Sequence, residues 1–207
     1  MPATEAALLA PPTIVYPEPN TRLATEHTLS YVRPLLRPGD TVLDVGCGSG
    51  YVLAELAAEH AVTGIDIVDT RAPQLPPFPF QKYDGLQLPF ADDSFDVVLL
   101  IFVLHHVPNP LKHRLVDEAR RVARRHIVVM EDTPRTPIDW LAAWLHGRRH
   151  RREIGSDADF GFFTKARWEQ FFAERKLRVT RASRVPRLSR IWWRPWARCA
   201  FWLEKRA

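Results

Sequence analysis

The sequence has little cysteine and no long hydrophobic run. Its only two cysteines, Cys47 and Cys199, provide no disulfide framework and are typical of a protein in a reducing compartment. No stretch of about 18 uncharged apolar residues occurs, so the sequence predicts no transmembrane helix. Residues 1–5 also lack the basic start of a signal peptide, and no apolar run follows them. These absences together predict a cytoplasmic protein.

The remaining composition is that of an ordinary globular protein. Hydrophobic residues make up 46% and charged residues 26% of 207 residues, which is enough for one domain with a real core. Prolines at positions 2, 11, 12, 17 and 19 oppose regular structure at the start. We therefore expect a single domain over residues 1–207, whose residues 1–20 form an extended arm.

Strand-like and helix-like apolar patterns alternate along the chain. Strands are predicted at 41–45, 61–66, 80–83, 95–101, 126–131, 177–184 and 197–204. Helices are predicted at 21–36, 49–60, 110–123, 137–146 and 164–175, with Thr136 and Thr164 as N-caps and Gly147 as a helix end. Four prolines between residues 69 and 79 predict a loop in place of a crossover helix. The pattern indicates an α/β fold with a mostly parallel seven-stranded sheet.

A glycine-rich turn, VGCGSG at residues 45–50, follows the first predicted strand. Glycines at that point permit a tight turn and a close approach of the backbone to a ligand. The third glycine comes one position too early for the dinucleotide-binding pattern, and the lysine of a phosphate-binding Walker loop is missing. The turn therefore predicts a ligand other than a dinucleotide or a nucleoside triphosphate.

Carboxylates accompany the first three strands at or near their carboxyl ends. Asp44 lies just before the glycines, Asp66 ends the second strand, and Asp84 follows the third. Each one alone could be a cap or turn residue. Three of them around a loop without lysine or arginine would repel phosphate, and they suit a ligand with a ribose, an amine and a sulfonium cation.

With these features the sequence resembles the class I S-adenosylmethionine (SAM)-dependent methyltransferases, particularly the type-11 and ubiquinone-methylase-like group. The resemblance extends over about residues 30–132 and rests on VLDVGCGSG (42–50), VTGID (62–66), YDGLQLPFADDSFDVV (83–98) and VLHHVPNP (103–110). It implies a Rossmann-like fold with helices on both faces of the sheet. It also implies SAM as methyl donor, S-adenosylhomocysteine (SAH) as product and a small-molecule acceptor.

The resemblance further implies where the cofactor lies. Asp44 and the glycine-loop backbone would hold the methionine portion, and Asp66 would bind the ribose hydroxyls. Ile67 would cover the adenine, and the chain near Ile101 would line the methyl-donor side. The complete expected set of cofactor-binding residues is Asp44, Gly46, Cys47, Gly48, Gly50, Asp66, Ile67, Asp84, Gly85 and Ile101.

Two histidines follow the fourth strand, at the sheet edge where ligands bind in such folds. Adjacent residues of an extended segment point in opposite directions, so at most one of His105 and His106 is expected to face the acceptor. The resemblance favours His106 as a catalytic base or orienting group, and a loop histidine bonded to a backbone carbonyl is the alternative. A metal site including His113 lacks supporting thiolates or carboxylates, so no metal is predicted.

Charge and tryptophan are unevenly distributed. Residues 1–134 hold 11 Lys/Arg and 17 Asp/Glu, a balance of −6, whereas residues 135–207 hold 18 and 7, a balance of +11, and contain all seven tryptophans. We expect residues 133–196, with the N-terminal arm, to form the acceptor-binding region for an aromatic or anionic small molecule.

Other interpretations of this basic region stay open. It could be a solvated surface with core tryptophans, or it could bind RNA, although no RNA-binding module is visible. It could also lie at an anionic membrane surface and serve a lipid or quinone acceptor. A SAM-binding protein without transferase activity is a further alternative, and the oligomeric state stays open.

Overall fold

The computed structural model describes residues 14–154, 161–186 and 197–206. The helices are α1 (Pro19–Val32), α2 (Tyr51–Leu56), α3 (Asn109–Val122), α4 (Pro137–Ile154) and α5 (Lys165–Glu174). The strands are β1 (Thr41–Val45), β2 (Ala61–Asp66), β3 (Phe80–Lys82), β4 (Phe95–Ile101), β5 (Ala123–Asp132), β6 (Leu177–Val185) and β7 (Arg198–Lys205). Single 3-10 turns follow α1 and β4 at Arg33–Leu35 and Leu104–His106.

The strands form one seven-stranded sheet in the order β3-β2-β1-β4-β5-β7-β6. The first five strands pair in parallel, and β7 lies antiparallel to both β5 and β6. The prediction of a mostly parallel seven-stranded sheet is confirmed. Strand order reverses between β1 and β4, and ligands of open α/β sheets bind beyond the carboxyl ends of the strands at such a point.

Side chains of β4 alternate between two hydrophobic cores, one on each face of the sheet. Val98 and Leu100 belong to the core that α3 and α5 cover, whereas Val97 and Leu99 belong to the core that α1 and α2 cover. This alternation follows from the two-residue period of a strand. A strand buried on both faces also explains the continuous apolar run in the sequence. Helices on both faces of the sheet are therefore confirmed.

Some helix boundaries differ from the prediction. α1 begins at Pro19, inside the segment expected to be an extended arm, because proline is favourable in the first helical turn. Residues 1–13 of that arm lie outside the described residues. The prediction that Gly147 ends α4 was wrong, since the helix continues to Ile154. A glycine inside a helix costs only about 1 kcal/mol relative to alanine, which neighbouring helix-forming residues can offset.

The proline-rich crossover between β2 and β3 contains no helix, as predicted. Arg71 pairs with Asp69 at 2.8 Å, and its guanidinium lies 4.3 Å from the centre of the Phe80 ring. Buried Phe78 packs so closely on Gly50 that a Cβ there would lie 2.7 Å from the ring. The crossover therefore packs directly against the glycine turn.

The tryptophans separate into buried and exposed groups. Trp168 and Trp202 are buried in the two cores, while Trp140 and Trp144 are exposed on α4. The expected acceptor-region residues Trp192, Trp193, Trp196, Arg187, Arg190 and Arg194 lie outside the described residues. Within the described part, no helix is long and apolar enough to cross a membrane.

Candidate functional site

The glycine turn after β1 depends on glycine at its two ends. Gly46 has φ +77°, donates its amide to the Ile65 carbonyl at 2.8 Å, and lies so close to Val103 that a Cβ would come within 2.4 Å of it. Gly50 has φ +80° and is the left-handed residue from which α2 starts. Both positions combine a left-handed backbone with a crowded neighbour, so side chains are excluded there.

Asp66 joins this turn to the end of β2. Its Oδ2 accepts a hydrogen bond from the Gly48 amide at 2.9 Å, and its Oδ1 accepts from the Ile67 amide at 2.7 Å. The structure thus brings the predicted glycine turn and the predicted ribose-binding carboxylate into direct contact. Oδ1 also accepts from the Val68 amide at 3.4 Å. A carboxylate has about four acceptor positions, so Asp66 retains capacity for a ribose hydroxyl.

Asp44 is a buried carboxylate at the carboxyl end of β1. Its side chain is 3% exposed, and its Oδ1 has no hydrogen-bond partner among the described residues. Burial, and then the charge of Asp66, raise the pKa of Asp44 to about 7. An unpartnered buried acceptor beside a second carboxylate fits a ligand that carries a cation or an amine.

The part of the expected site that would hold the adenine has apolar side chains and one acidic side chain, that of Asp84. Asp84 Oδ1 accepts from the amides of Leu86 at 2.8 Å and Gln87 at 3.3 Å, and these bonds lower the pKa of Asp84. A Cβ at Gly85 would lie 3.2 Å from the Ile67 side chain, so the two residues are neighbours. The exposed side chains of Ile67 and Leu86 flank the acidic group, an arrangement that fits a planar base with an exocyclic amine.

A cavity of about 360 Å³ lies between α1 and the glycine turn, and Ile101 lines it together with Thr25, Cys47 and Phe102. Burial raises the pKa of the Cys47 thiol, and the nearby Asp44 and Asp66 raise it further. Cys47 is therefore a neutral, apolar lining group and not a nucleophile.

Tyr16, in the predicted N-terminal arm, packs against α2 beside this cavity. The sequence assigned the arm to the acceptor-binding region and indicated no partner for Tyr16. The Tyr16 ring stacks on Tyr51 with centroids 5.0 Å apart, and the Tyr16 hydroxyl donates to Glu55 at 2.6 Å. Tyr51 is the first residue of α2 and also lines the cavity. This contact places α1 beside the expected methionine end of the cofactor.

The histidine pair lies on the 3-10 turn after β4, and the expected extended geometry was wrong. The rings of His105 and His106 are neighbours, with centroids 4.0 Å apart, because a tight turn does not direct successive side chains to opposite sides. His105 is buried and stacks on Phe162, while His106 is half-buried. The proposed catalytic role of His106 stays a prediction.

Glu131, to which the sequence assigned no role, holds this turn. Its Oε1 accepts from the Leu104 amide at 2.7 Å, and its Oε2 lies 2.6 Å from His105 Nδ1. Burial alone would lower the pKa of His105, but the charge and hydrogen bond of Glu131 outweigh it and raise that pKa. The sequence did offer one signal for this role, since Glu131 and Asp132 are two adjacent acidic residues at the end of the fifth strand.

A second cavity, of about 640 Å³, lies beyond the ends of β5 and β7. Trp140, Arg135 and Arg184 line it, and Trp144 does not. Arg198 also lines it, pairs with Asp132 at 2.9 Å, and stacks its guanidinium 4.6 Å from the Phe102 ring. Because Phe102 lines the first cavity, the Phe102 and Arg198 pair lies between the two.

No cluster of three metal-ligating side chains occurs in the described part of the chain. The three histidines considered from the sequence, His105, His106 and His113, therefore do not belong to such a group. His113 instead lies on α3, where its ring contacts Phe171 at 4.8 Å between centroids.

Comparison with known proteins adds an independent finding. Residues 43–128 match the family model described as a methyltransferase domain. The chain is 34% identical over 101 residues to 27-O-demethylrifamycin SV methyltransferase of Amycolatopsis mediterranei (strain S699), covering 43% of this chain and 36% of that protein. It is 31% identical over 134 residues to a phosphatidylethanolamine N-methyltransferase of Cereibacter sphaeroides, covering 59% and 65%. The chain thus spans less than two thirds of either relative.

Solved structures show the same fold. A methyltransferase bound to the Trm112 activator of Haloferax volcanii superimposes with a TM-score of 0.70 at 17% identity, over 91% of this chain and 92% of that one. At this identity the likeness concerns the architecture of the sheet and its helices.

Proposed function

We propose that the chain is a class I SAM-dependent methyltransferase and that it transfers a methyl group from SAM to a small aromatic or anionic acceptor. The match of residues 43–128 to a methyltransferase-domain model and the methyltransferase relatives support this proposal. The observation that carries this proposal is the set of three aspartates at the edge of the sheet formed by β1 to β3. Asp44 with its unpartnered Oδ1, Asp66 bonded to the glycine turn, and Asp84 lie at or near the carboxyl ends of three neighbouring strands, and residues 45–50 contain no lysine or arginine.

In this proposal each carboxylate binds a different part of the cofactor. Asp44 and the turn from Gly46 to Gly50 hold the methionine portion, and Asp66 accepts from the ribose diol. Asp84 and Gly85 meet the adenine edge beneath Ile67, while Ile101 lines the methyl side. Their placement along one edge of the sheet supports the assignment, because each carboxylate can bind a different part of the same ligand. A hydrogen bond to such a charged acceptor contributes about 1.5–3 kcal/mol to binding.

SAM supplies an activated methyl group on a sulfonium, so the main task of the protein is alignment. Positioning of two reactants can be worth roughly 7–11 kcal/mol. We assign His106 to orient the acceptor or to remove its proton, and His105 with Glu131 to fix the turn that carries it. The buried hydrogen bond between His105 and Glu131 supports this division of roles, because it restrains the turn.

The cavity at the ends of β5 and β7 is the proposed acceptor site. An exposed indole, Trp140, and arginines at 135 and 184 can stack on and pair with a planar or anionic molecule. A relative that acts on phosphatidylethanolamine, by its name, supports an acceptor with an anionic group and an apolar portion.

The test is a measurement of SAH formation by the purified protein. SAM is incubated with phenols, carboxylates, quinone precursors, phospholipids or RNA, and methylated products are identified by mass. Product from a planar or anionic small molecule supports the proposal. SAM binding without product from any acceptor would favour a binding-only protein, and methylated RNA with steeply salt-dependent binding would favour an RNA enzyme.

A further inference from the structure

The outer face of α4 is apolar, and none of the described residues covers it. Ile138, Leu141, Trp144 and Leu145 are between 51% and 73% exposed, and their spacing places them on one side of the helix. The opposite side is anchored, since Ala143 and Asp139 are at most 3% exposed and Asp139 accepts from the Arg135 amide at 3.0 Å.

This face differs from the other exposed apolar side chains of the described residues. Three of them, Ile67, Val68 and Leu86, lie at the expected adenine site, where a bound cofactor would contact them. Val15 is a single residue beside α1. The α4 face alone is a contiguous apolar surface that the cofactor site does not account for, and contiguous patches mark binding surfaces.

One basic side chain, that of Arg148, adjoins the apolar face. The Arg148 guanidinium lies 5.4 Å from the centre of the Trp144 ring, and the sequence continues as Arg-Arg-His-Arg-Arg over residues 148–152. Tryptophan and leucine on one helix face, followed by arginines, match the chemistry of an anionic lipid surface. At such a surface the Trp144 indole would enter the headgroup region, and the Arg148 guanidinium would pair with a lipid phosphate.

We propose that α4 docks in the plane of an anionic lipid bilayer through Ile138, Leu141, Trp144 and Leu145. Charge complementarity selects this occupant, because Arg148 lies beside Trp144 and the sequence that follows the apolar face has four arginines in five residues, which anionic headgroups attract. Docking needs no cofactor and is independent of the proposed transferase activity.

The docking face adjoins the second cavity. Trp140, one turn before Trp144, lines that cavity. A docked α4 therefore holds the cavity close to the lipid headgroups, where an amphipathic acceptor can enter. This delivery step rests on the proposed function, whereas the docking itself does not.

The experiment is co-sedimentation of the full chain, without SAM, with phosphatidylcholine vesicles containing about 30% phosphatidylglycerol. The double variant Leu141→Ser/Leu145→Ser is expected to lower the partition coefficient at least tenfold, and Arg148→Ser about fivefold. The matched controls are Val15→Ser, an exposed apolar residue elsewhere, and Arg178→Ser, an exposed arginine on β6. Both controls are expected to bind as the parent protein does.

Three results would overturn the docking proposal. The first is no sedimentation with anionic vesicles, the second is equal binding to pure phosphatidylcholine, and the third is equal loss in the control variants. A concentration-dependent dimer that the double variant abolishes, without vesicle binding, would assign the face to a second copy of the chain. Vesicle binding by a protein that forms no SAH would leave docking intact and reject only the delivery step.

Discussion

The two ends of the sheet edge are built differently. The donor end, where β1 to β3 would bind the cofactor, brings together residues close in sequence, as in the bond from the Gly48 amide to Asp66, 18 residues apart. The acceptor end is the second cavity, where the acceptor is proposed to bind. Its contacts join distant segments, as in the ion pair of Asp132 with Arg198, 66 residues apart. The donor end is acidic and the acceptor end basic. Proteins that bind the same cofactor can do so through the same local sequence motif. An acceptor site differs from protein to protein and is built from the elements that flank the sheet.

The largest expected effect is that of Gly46→Ala, which should disturb both the glycine turn at the donor end and the histidine turn beside the acceptor end. A Cβ at φ +77° is strained, and it would meet Val103, which precedes the histidine turn. We expect a loss of about 2–4 kcal/mol in unfolding free energy and of at least about 100-fold in SAM affinity. Chemical denaturation and calorimetry measure both.

Gly39→Ala is the matched control for Gly46→Ala. Gly39 has φ +81°, but a Cβ added there would meet no atom within 4 Å beyond its chain neighbours. This variant should lose only about 1 kcal/mol of stability and keep its SAM affinity. Equal effects of the two substitutions would show that backbone strain alone, and not the close approach to Val103, is responsible.

His106→Ala should impair methyl transfer without changing cofactor binding. We expect kcat to fall roughly 100-fold if the imidazole acts as a base, while the dissociation constant of SAH stays unchanged. His113→Ala, a substitution on α3 away from the strand ends, serves as the control. An unchanged kcat would assign His106 a structural role on its turn.

Asp66→Asn should impair the donor end alone. The amide retains the shape of the side chain, but it loses the charge that accepts from the Gly48 and Ile67 amides. SAM affinity should fall by about 10- to 100-fold, and the KM for the acceptor should not change. Asp69→Asn removes a carboxylate that pairs with Arg71 on the surface and should leave SAM affinity intact. Unchanged affinity of Asp66→Asn would reject the ribose assignment.

Elements with a local sequence signal were predicted correctly at both ends of the sheet edge. The extents of β1, β2 and β4 were confirmed, since each is a short, mainly apolar segment of strand length with a clear end. The N-caps Thr136 and Thr164 were also confirmed by their bonds to the Asp139 and Arg167 amides. All these signals are local in sequence.

Long-range partners were beyond such signals. Nothing near His105 indicates that Glu131 lies 2.6 Å away, because that contact needs β4 and β5 to pair in register. Lys112 is fully buried on the apolar side of α3, where its Nζ donates to the Gly161 carbonyl at 2.7 Å. A helical periodicity gives no reason to expect a lysine there.

A smaller effect is expected from pH at the donor end. Since the pKa of Asp44 is raised to about 7 without cofactor, mainly by burial, the carboxylate must lose a proton when a cationic ligand binds. SAH affinity should therefore fall roughly tenfold from pH 8 to pH 6, since each pKa unit corresponds to a factor of ten. Asp44→Asn should bind more weakly at pH 8 and show no such slope.

The same shift has a consequence for stability. A carboxyl group with a raised folded-state pKa stabilises the fold fully below its ordinary value of 3.8, and that contribution is lost as pH rises through about 7. Without cofactor, Asp44→Asn should thus raise the melting temperature at pH 8 and change it less at pH 5. A variant that is equally stable relative to the parent at both values would contradict the raised pKa.

The smallest expected effect concerns Trp140 and divides the acceptor end itself. Trp140 lines the second cavity, whereas Trp144 lies on the outer face of the same helix. For a small water-soluble acceptor, Trp140→Ala should raise KM about three- to tenfold through loss of stacking, with unchanged SAH affinity, and Trp140→Phe should restore part of it. Trp144→Ala should leave this KM unchanged and weaken only vesicle binding. Equal increases in KM for both variants would mean that the acceptor contacts the outer face of α4, and that the cavity and the docking face are one site.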